Sequence, residues 1–193
     1  MSESKLDLPR IKDVREENGF LYFTVSSCNV SVINSIRRTI LSDIPVVSFK
    51  TEPHNEVNEK LESTIIYENT TTLTNEIIKQ RLGCIPIHLK VTDNMLIDNL
   101  VVEVDVTNKT DEMIYVTTDD FKIKEVATNN YLKDTAVKKI FPPNKITNDF
   151  ILFNRLKPRI SKHQEGEKMK LASKLVVSTS KENSQCNVCS TIG

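Results

Sequence analysis

The stretch NVSVINSIRRTILSDIP, at residues 29–45, constrains the fold most strongly, because it predicts an amphipathic helix with adjacent arginines at its centre. Asn29 is a suitable N-cap, and Pro45 ends the helix because the residue before a proline is pushed out of the α region. The helix is therefore predicted over about residues 30–43. At about 100° per residue, one side of it carries an apolar stripe, which consists of Val30, Ile33, Ile36, Ile40 and Ile44. Such a stripe is expected to pack against the rest of the chain or against a partner.

The adjacent arginines, Arg37 and Arg38, point in different directions on this helix. Arg37 falls inside the apolar stripe. Its long stem can cover the edge of a core while its head reaches water, or it can lie in an interface with a partner. Arg38 points away from the stripe, beside Asn34, where an ordinary solvated residue is the simplest interpretation. The residues alone leave these alternatives open, although the stripe is wider than one small domain needs.

Local signals elsewhere predict a hairpin and a second helix. Residues 10–26 are typical of a β-hairpin, because the pair Asn18-Gly19 suits a turn that needs positive φ. The segment NEIIKQRL predicts the second helix, with Thr74 as a possible N-cap and Gly83 as its C-cap. The sequence therefore places two helices in the first half of the chain.

Strand patterns dominate the remainder of the sequence. VVSFK at residues 46–50 and TIIYE at residues 64–68 are typical of short strands, and CIPIHL, which contains Pro86, indicates an extended edge segment. Beyond residue 95, LVVEVDVTN alternates valines with acidic residues, as a half-buried strand does. MIYVTT, FKIKEV, FILF and KMKLASKLVVS look similar. The predicted fold class is α+β, with two early helices followed by mostly antiparallel strands.

Composition argues against several classes of function. The 26 basic and 26 acidic side chains give a formal net charge of zero, so no direct nucleic-acid binding is expected. No apolar stretch approaches the ~20 residues that cross a bilayer, and the N-terminus has no apolar segment of the signal-peptide type, so no membrane partner is expected. The four cysteines do not form the disulfide framework of a secreted protein, which predicts a reducing compartment, cytoplasm or nucleus.

Three blocks of the sequence carry a resemblance to a known family, namely NVSVINSIRRTILSDIPVVSF, ENTTTLTNEIIKQRLGCIPIHL and LASKLVVSTSKENSQCNV. They resemble the larger alpha-like subunit of multisubunit DNA-directed RNA polymerases, and they occur in family order. In that family it is the third-largest subunit of nuclear enzymes, its archaeal counterpart and the alpha N-terminal region of bacteria. The first block is shared with the smaller alpha-like subunit, whereas the second and third separate this chain from it. Their spelling is most like versions from large DNA viruses, which would add a viral replication site or the virion as a location.

The resemblance implies a domain organisation. Residues 1–50 would form the N-terminal part of the alpha-like dimerisation domain, with its hairpin, signature helix and strand. Residues 51–193 would form a mostly antiparallel β inserted domain. In the family the chain then returns to complete the dimerisation domain, but this sequence stops near the end of the inserted domain. An incomplete dimerisation domain is therefore expected, from a truncated sequence or a split gene.

The resemblance also implies a function without catalysis by this chain. Such a subunit pairs with the smaller alpha-like subunit through the signature helices, and the heterodimer then docks the second-largest polymerase subunit. The chain would thus be an assembly subunit of a nucleotidyltransferase complex for DNA-templated transcription. The implied dimer interface consists of Val30, Ile33, Ile36, Arg37 and Ile40.

A second set of residues matches the positions with which the family docks its second-largest subunit. At Arg38 the planar guanidinium can pair with carboxylates or backbone carbonyls of the partner. The alternative for the second block is a capped helix and turn that pack only internally, and the alternative for Lys181 and Glu182 is a solvated loop tip. The implied docking residues are Arg38, Glu76, Arg81, Leu82, Gly83, Pro86, Lys181 and Glu182.

The cysteines separate this chain from many members of the family, which hold zinc or an iron–sulfur cluster in the inserted domain. No cysteine lies between Cys84 and Cys186, so no such cofactor is expected. The histidines are scattered and no glycine-rich phosphate loop occurs, so no intrinsic enzymatic activity is expected either. The motif CNVC, with Cys186 and Cys189, has redox or metal spacing. It supports an alternative function, a small CxxC redox or metal-binding module unrelated to transcription.

Overall fold

The computed structural model describes residues 8–51, 63–91, 97–161 and 165–192. Every strand pair within these ranges is antiparallel, which confirms the predicted mixed class with mostly antiparallel strands. The elements in chain order are β1 (Arg10–Glu17), β2 (Phe20–Ser26), α1 (Val30–Ser42), β3 (Val46–Phe49), β4 (Thr64–Asn69), α2 (Asn75–Gly83), β5 (Leu100–Thr107), β6 (Ile114–Thr117), a 3-10 helix (Thr118–Asp120), β7 (Lys122–Glu125), β8 (Asn130–Tyr131), α3 (Asp134–Ile140), β9 (Leu152–Leu156) and β10 (Lys168–Ser178).

Strand β10 organises the main sheet because it is long enough to pair with three neighbours. Along one edge it pairs with β5, and along the other edge its first half pairs with β4 and its second half with β3. β7 and β8 continue the sheet beyond β5, whereas β1–β2 and β6–β9 form separate two-stranded sheets. Strand β3, which the sequence grouped with residues 1–50, therefore shares a sheet with strands of the predicted inserted domain.

The main sheet buries one face of its two central strands. Val102 and Val104 on β5 and Met169 and Leu171 on β10 are fully or almost fully buried, as the alternation in both segments predicts. Ser173, on the same face of β10, is also buried. Its hydroxyl is hydrogen-bonded to the hydroxyl of Thr64 on β4, with 2.6 Å between the two oxygens.

A cluster of buried phenylalanines joins this sheet to the β6–β9 sheet. The ring of Phe121 lies edge-on to Phe141 and to Phe153, with 5.4 Å between the ring centroids in each pair. Phe49 of β3 completes the cluster, 6.4 Å from Phe121 between ring centroids and stacked on Phe141. The four rings come from four separate parts of the chain, so this aromatic cluster holds the tertiary fold together.

Several local predictions are confirmed. Asn18 and Gly19 both have positive φ, 52° and 81°, as the two-residue turn between β1 and β2 requires. Asn29 caps α1, because its Oδ1 accepts a 2.8 Å hydrogen bond from the backbone N–H of Ser31. Helix α1 ends within one residue of its predicted end, with Asp43 as its C-cap.

The second helix differs from its prediction at both ends. Thr74 is the N-cap residue, but its side chain makes no capping hydrogen bond. Gly83 is not the C-cap as predicted: it is the last helical residue, Cys84 is the C-cap, and the chain leaves the helix without positive φ. The side chain of Gln185 lies against Gly83, so a Cβ atom at this position would require the end of that side chain to move.

Two further segments differ from the sequence prediction. The CIPIHL segment around Pro86 forms no strand, although the N–H of His88 donates to the carbonyl of Ile140 over 3.1 Å. Helix α3 was not predicted. It is short and has only two buried residues, Val137 and Ile140, so the sequence lacks the repeated apolar spacing that identifies a helix.

The β1–β2 hairpin and α1 contrast with the rest of the fold, because the side chains of the hairpin and of α1 stay accessible to solvent. No residue of β1, β2 or α1 belongs to the buried class. None of the helices among the described residues is long and apolar enough to span a membrane. The exposed apolar groups at the N-terminal end of the chain are the first candidate for a functional surface.

Candidate protein-docking surface

The apolar stripe of α1 lies open to solvent. Val30 is 81% exposed and Ile36 is 44% exposed, and Ile44, just beyond the helix, is also exposed. Ile33 and Ile40 are half-buried. A contiguous apolar surface of this kind on a helix is typical of a protein–protein interface. The predicted dimer residues are thus brought together on one accessible side of one helix.

The arginines of α1 occupy different environments, as predicted. The Arg37 guanidinium donates from Nε and Nη2 to Oδ1 of Asn34, at 3.2 and 3.0 Å, and the side chain is half-buried. Residues three and four apart on a helix are both neighbours, so Asn34 lies next to both arginines, and it is the long Arg37 side chain that reaches back one turn to bind it. Arg38 is exposed.

The β1–β2 hairpin adds further apolar surface that the sequence analysis did not assign to a site. Ile11, Leu21 and Phe23 are exposed, and Ile11 pairs with Val25 across the hairpin. A two-stranded hairpin is at best marginally stable by itself in water. The signal was present in the sequence, because FLYFTVSS carries more apolar residues than a single buried face needs.

The second predicted docking block contains both exposed and buried residues. Arg81 is exposed, but its guanidinium donates from Nε to the carbonyl of Phe153 at 2.9 Å and from Nη2 to the carbonyl of Leu152 at 3.1 Å. Leu82 is fully buried in the core, and Gly83 is buried against Gln185. These three residues support the fold of the block, and Glu76 and Pro86 are exposed.

Arg81 is therefore expected to contribute to stability. The Arg81→Lys variant should lower the free energy of unfolding by about 1 kcal/mol, because lysine cannot donate to two adjacent carbonyls with the planar fork of arginine. Urea denaturation of the full chain measures this loss. Arg155→Lys is the matched control. Arg155 is exposed on β9, the strand whose carbonyls bind Arg81, and it lies over the ring of Tyr115, a contact that lysine can keep. Equal effects of the two substitutions would contradict the assignment.

The third predicted block contacts the end of α1. We call residues 179–189, which follow β10, the C-terminal loop. The backbone N–H of Lys181 donates to the carbonyl of Ser42 at 3.3 Å, and its ammonium forms an ion pair with Asp43. A hydrogen bond from Lys181 holds the pKa of the Asp43 carboxyl below its usual range. Glu182 accepts a 2.8 Å hydrogen bond from the hydroxyl of Ser178.

The C-terminal loop also joins β3 and α2. Sγ of Cys186 lies 3.0 Å from the hydroxyl oxygen of Ser48 on β3, and both residues are buried. Gln185 packs against Gly83 at the end of α2. The structure thus brings parts of all three sequence blocks to one junction, formed by the end of α1, β3, the end of α2 and the C-terminal loop. Arg81, by contrast, faces β9.

The cysteines and histidines of the described ranges are the side chains to consider for redox or metal chemistry. Cys186 is buried and its thiol lies against Ser48, while Cys189 is half-buried. No group of three or more His, Cys, Asp or Glu side chains that could hold a metal ion occurs within the residues that the structure describes. His88 is exposed, whereas His54 and His163 lie outside the described residues.

Comparison with known proteins finds similarity to subunits of RNA polymerases and to one other protein. The chain is 31% identical over 141 residues, 67% of its length, to a conjugation stage-specific protein of Tetrahymena thermophila. It is 30% identical over 80 residues, 42% of its length, to DNA-directed RNA polymerase subunit Rpo3 of Pyrobaculum arsenaticum. It is 28% identical over 79 residues, 41% of its length, to the human RNA polymerases I and III subunit RPAC1. No family model matches the chain.

These similarities support the predicted family, the alpha-like subunits of RNA polymerase. The matched region spans 40% of the Tetrahymena protein, 26% of the archaeal subunit and 19% of the human subunit. The chain thus spans less than half of the length of each of these relatives. The particular resemblance to versions from large DNA viruses stays a prediction.

Proposed function

We propose that this chain is an assembly subunit of a DNA-directed RNA polymerase of the multisubunit class and acts without catalysing a reaction itself. The observation that carries the proposal is the accessible apolar stripe on α1, in which Val30 and Ile36 are exposed although they are β-branched and apolar. Similarity to polymerase subunits, over 42% of the chain for the archaeal subunit and 41% for the human one, supports the proposal. The protein would act in the cytoplasm or nucleus, wherever its polymerase transcribes.

The proposed partner of the α1 stripe is the smaller alpha-like subunit. Val30, Ile33, Ile36 and Ile40 would bury against the matching helix of that subunit, and Arg37 would lie at the edge of the contact with its guanidinium held by Asn34. A stable obligate interface buries on the order of 2,000 Å² or more. One helix face is too small for that area, so the exposed hairpin is proposed to contribute the rest.

The proposed second contact is with the second-largest polymerase subunit. The predicted docking residues that are exposed are Arg38, Glu76, Arg81, Pro86, Lys181 and Glu182. The guanidinium of Arg81 and the ammonium of Lys181 already have partners within the chain. Leu82 and Gly83 would contribute indirectly, because both are buried and support the end of α2 from within the fold.

The first experiment is a pull-down of the tagged chain from its native source, with the co-purifying proteins identified by mass spectrometry. We expect the two largest polymerase subunits and a small alpha-like chain. Recovery of none of them, from a preparation in which the tagged chain is folded, would overturn the proposed function.

The docking role of Arg38 is tested by substitution. Arg38→Ala should weaken capture of the second-largest subunit by about tenfold while the chain stays folded, because an interfacial arginine removed from its partner costs more than 1 kcal/mol. Capture by Arg38→Lys should lie between that of the wild-type chain and that of Arg38→Ala, since lysine replaces the planar fork of arginine with a point charge. Arg155→Ala, an exposed arginine elsewhere, is the control. Capture that is unchanged in both Arg38 variants would show that this role is wrong.

The alternative of a CxxC redox or metal-binding module receives no support. It would need accessible thiols, whereas Cys186 is buried against Ser48. The polymerase relatives are named for transcription, which this alternative excludes.

A further inference from the structure

The C-terminal end of α1 carries an unfavourable charge of its own. Its last turn contains no basic residue, and its C-cap is Asp43, a carboxylate. The C-terminus of a helix bears partial negative charge from carbonyls that have no partner within the helix, so a carboxylate there is destabilising and a cation is stabilising. The hydroxyl of Ser42 lies 2.8 Å from the carbonyl oxygen of Arg38 and 3.1 Å from Oδ2 of Asp43, so its single proton is shared between two acceptors and leaves the carboxylate charged.

Lys181 supplies the missing cation from a distant part of the chain. Its ammonium pairs with Oδ1 of Asp43, and its backbone N–H donates to the carbonyl of Ser42, one of the carbonyls that the helix leaves without a partner. One residue thus provides both a hydrogen bond and a positive charge at the end of α1. The position of the helix end and the position of the C-terminal loop are therefore linked.

The C-terminal loop is itself fixed to the main sheet. Ser178, the last residue of β10, pairs with Val46 of β3, and its hydroxyl binds Glu182. The N–H of Glu182 donates to the carbonyl of Thr179 at 3.0 Å, which closes a turn around Lys181. Further along the loop, the buried thiol of Cys186 lies against β3. Lys181 therefore projects from an anchored loop, and a helix held by Lys181 is held relative to the sheet.

We propose that Lys181 is a positioning residue for α1. It caps the C-terminal end of the helix and sets its direction relative to the main sheet, so partner binding to the apolar stripe depends on Lys181 although Lys181 does not touch that partner. This role replaces direct contact with the second-largest subunit for Lys181. The inference rests on the proposed function only where partner binding is the readout, because the effect on the helix itself is a property of the free chain.

Hydrogen–deuterium exchange of the free, full chain tests the effect on the helix. In Lys181→Met the amides of residues 40–43 should exchange roughly two- to fivefold faster, because the loss of a favourable charge at a helix C-terminus allows the last turn to open more often. The matched control is Lys170→Met, which removes a lysine from another exposed ion pair, 2.9 Å from Asp105, on β10. Unchanged exchange at the end of α1 in Lys181→Met would overturn the proposal.

A charge exchange distinguishes positioning from direct docking. Lys181→Asp should accelerate exchange, because it places two carboxylates together at the C-terminal end of α1. Adding Asp43→Lys to that variant should restore protection, because the pair again has opposite charges and a cation lies at the helix end. Binding of the purified smaller alpha-like subunit should change in parallel with the protection of the helix end. The affinity should fall about two- to fivefold in Lys181→Met and recover in the double variant. A double variant that recovers protection but not binding would show that the side chain at position 43 or 181 contacts a partner directly, which would overturn a role of Lys181 in positioning alone.

The two proposals fail in different ways. If the wild-type chain binds no alpha-like subunit, the proposed function fails while the exchange measurements still decide the role of Lys181. If the wild-type chain binds and the exchange rates do not respond to Lys181→Met, the positioning role fails and the proposed function stands.

Discussion

Replacing Ile36 with aspartate is expected to weaken binding of the smaller alpha-like subunit by about 30-fold or more, because loss of a central interface side chain costs about 2 kcal/mol. The aspartate would also leave an unpaired carboxylate in an apolar contact, which adds to the loss. The free energy of unfolding should change by no more than about 0.5 kcal/mol, since Ile36 is exposed in the free chain. Titration calorimetry measures the binding, and urea denaturation measures the stability.

The control for this substitution is Ser35→Asp. Ser35 is exposed on α1 and lies outside the apolar stripe, so the substitution adds the same charge to the same helix without entering the proposed interface. Binding should change by less than about threefold. Equal losses in the two variants would point to a general charge effect, and full binding by Ile36→Asp would contradict a role of the stripe in pairing.

Replacing Phe121 with alanine is expected to lower the free energy of unfolding by about 3–5 kcal/mol, as large-to-small substitutions of buried phenylalanines do. Phe121 is 2% exposed and touches three other rings of the aromatic cluster, so the cavity would open where the main sheet meets the β6–β9 sheet. This is a large part of the total stability of a typical domain, about 5–15 kcal/mol. Urea or guanidinium denaturation followed by circular dichroism measures the change.

Two variants make this prediction specific. Phe121→Leu keeps most of the volume and should cost about 1.5 kcal/mol or less. Phe23→Ala removes the same ring from the exposed hairpin and should change stability by no more than about 0.5 kcal/mol. A loss in Phe121→Ala no greater than that in Phe23→Ala would mean that the aromatic cluster does not hold the fold together.

Elements with a complete local signal were predictable from the sequence. The Asn18-Gly19 turn depends on the φ preferences of two adjacent residues, and the start of α1 depends on a side chain that caps a backbone N–H two residues away. The buried faces of β5 and β10 follow from alternation over a single strand. Each of these features arises within a few residues, so the sequence contains all the information needed.

Several features that the sequence did not reveal depend on neighbours that are distant in sequence. Gly83 was predicted to end a helix by its own backbone freedom, but it is the last helical residue, and the side chain of the distant Gln185 lies against it. Arg81 was predicted to face a partner, a role that no observation tests, and in the fold its guanidinium binds the carbonyls of β9. Helix α3 is too short to show a period.

Some features of the candidate surface follow from local sequence, and others depend on distant parts of the chain. The apolar stripe of α1 was determined by the sequence alone, because helical periodicity places its members on one side whatever the rest of the chain does. That this stripe stays exposed, and that Lys181 lies at the end of the same helix beside Asp43, was decided by the tertiary structure. Burial and ion pairing depend on which distant segments meet, and β10, by pairing with β3, is what brings the C-terminal loop to the end of α1.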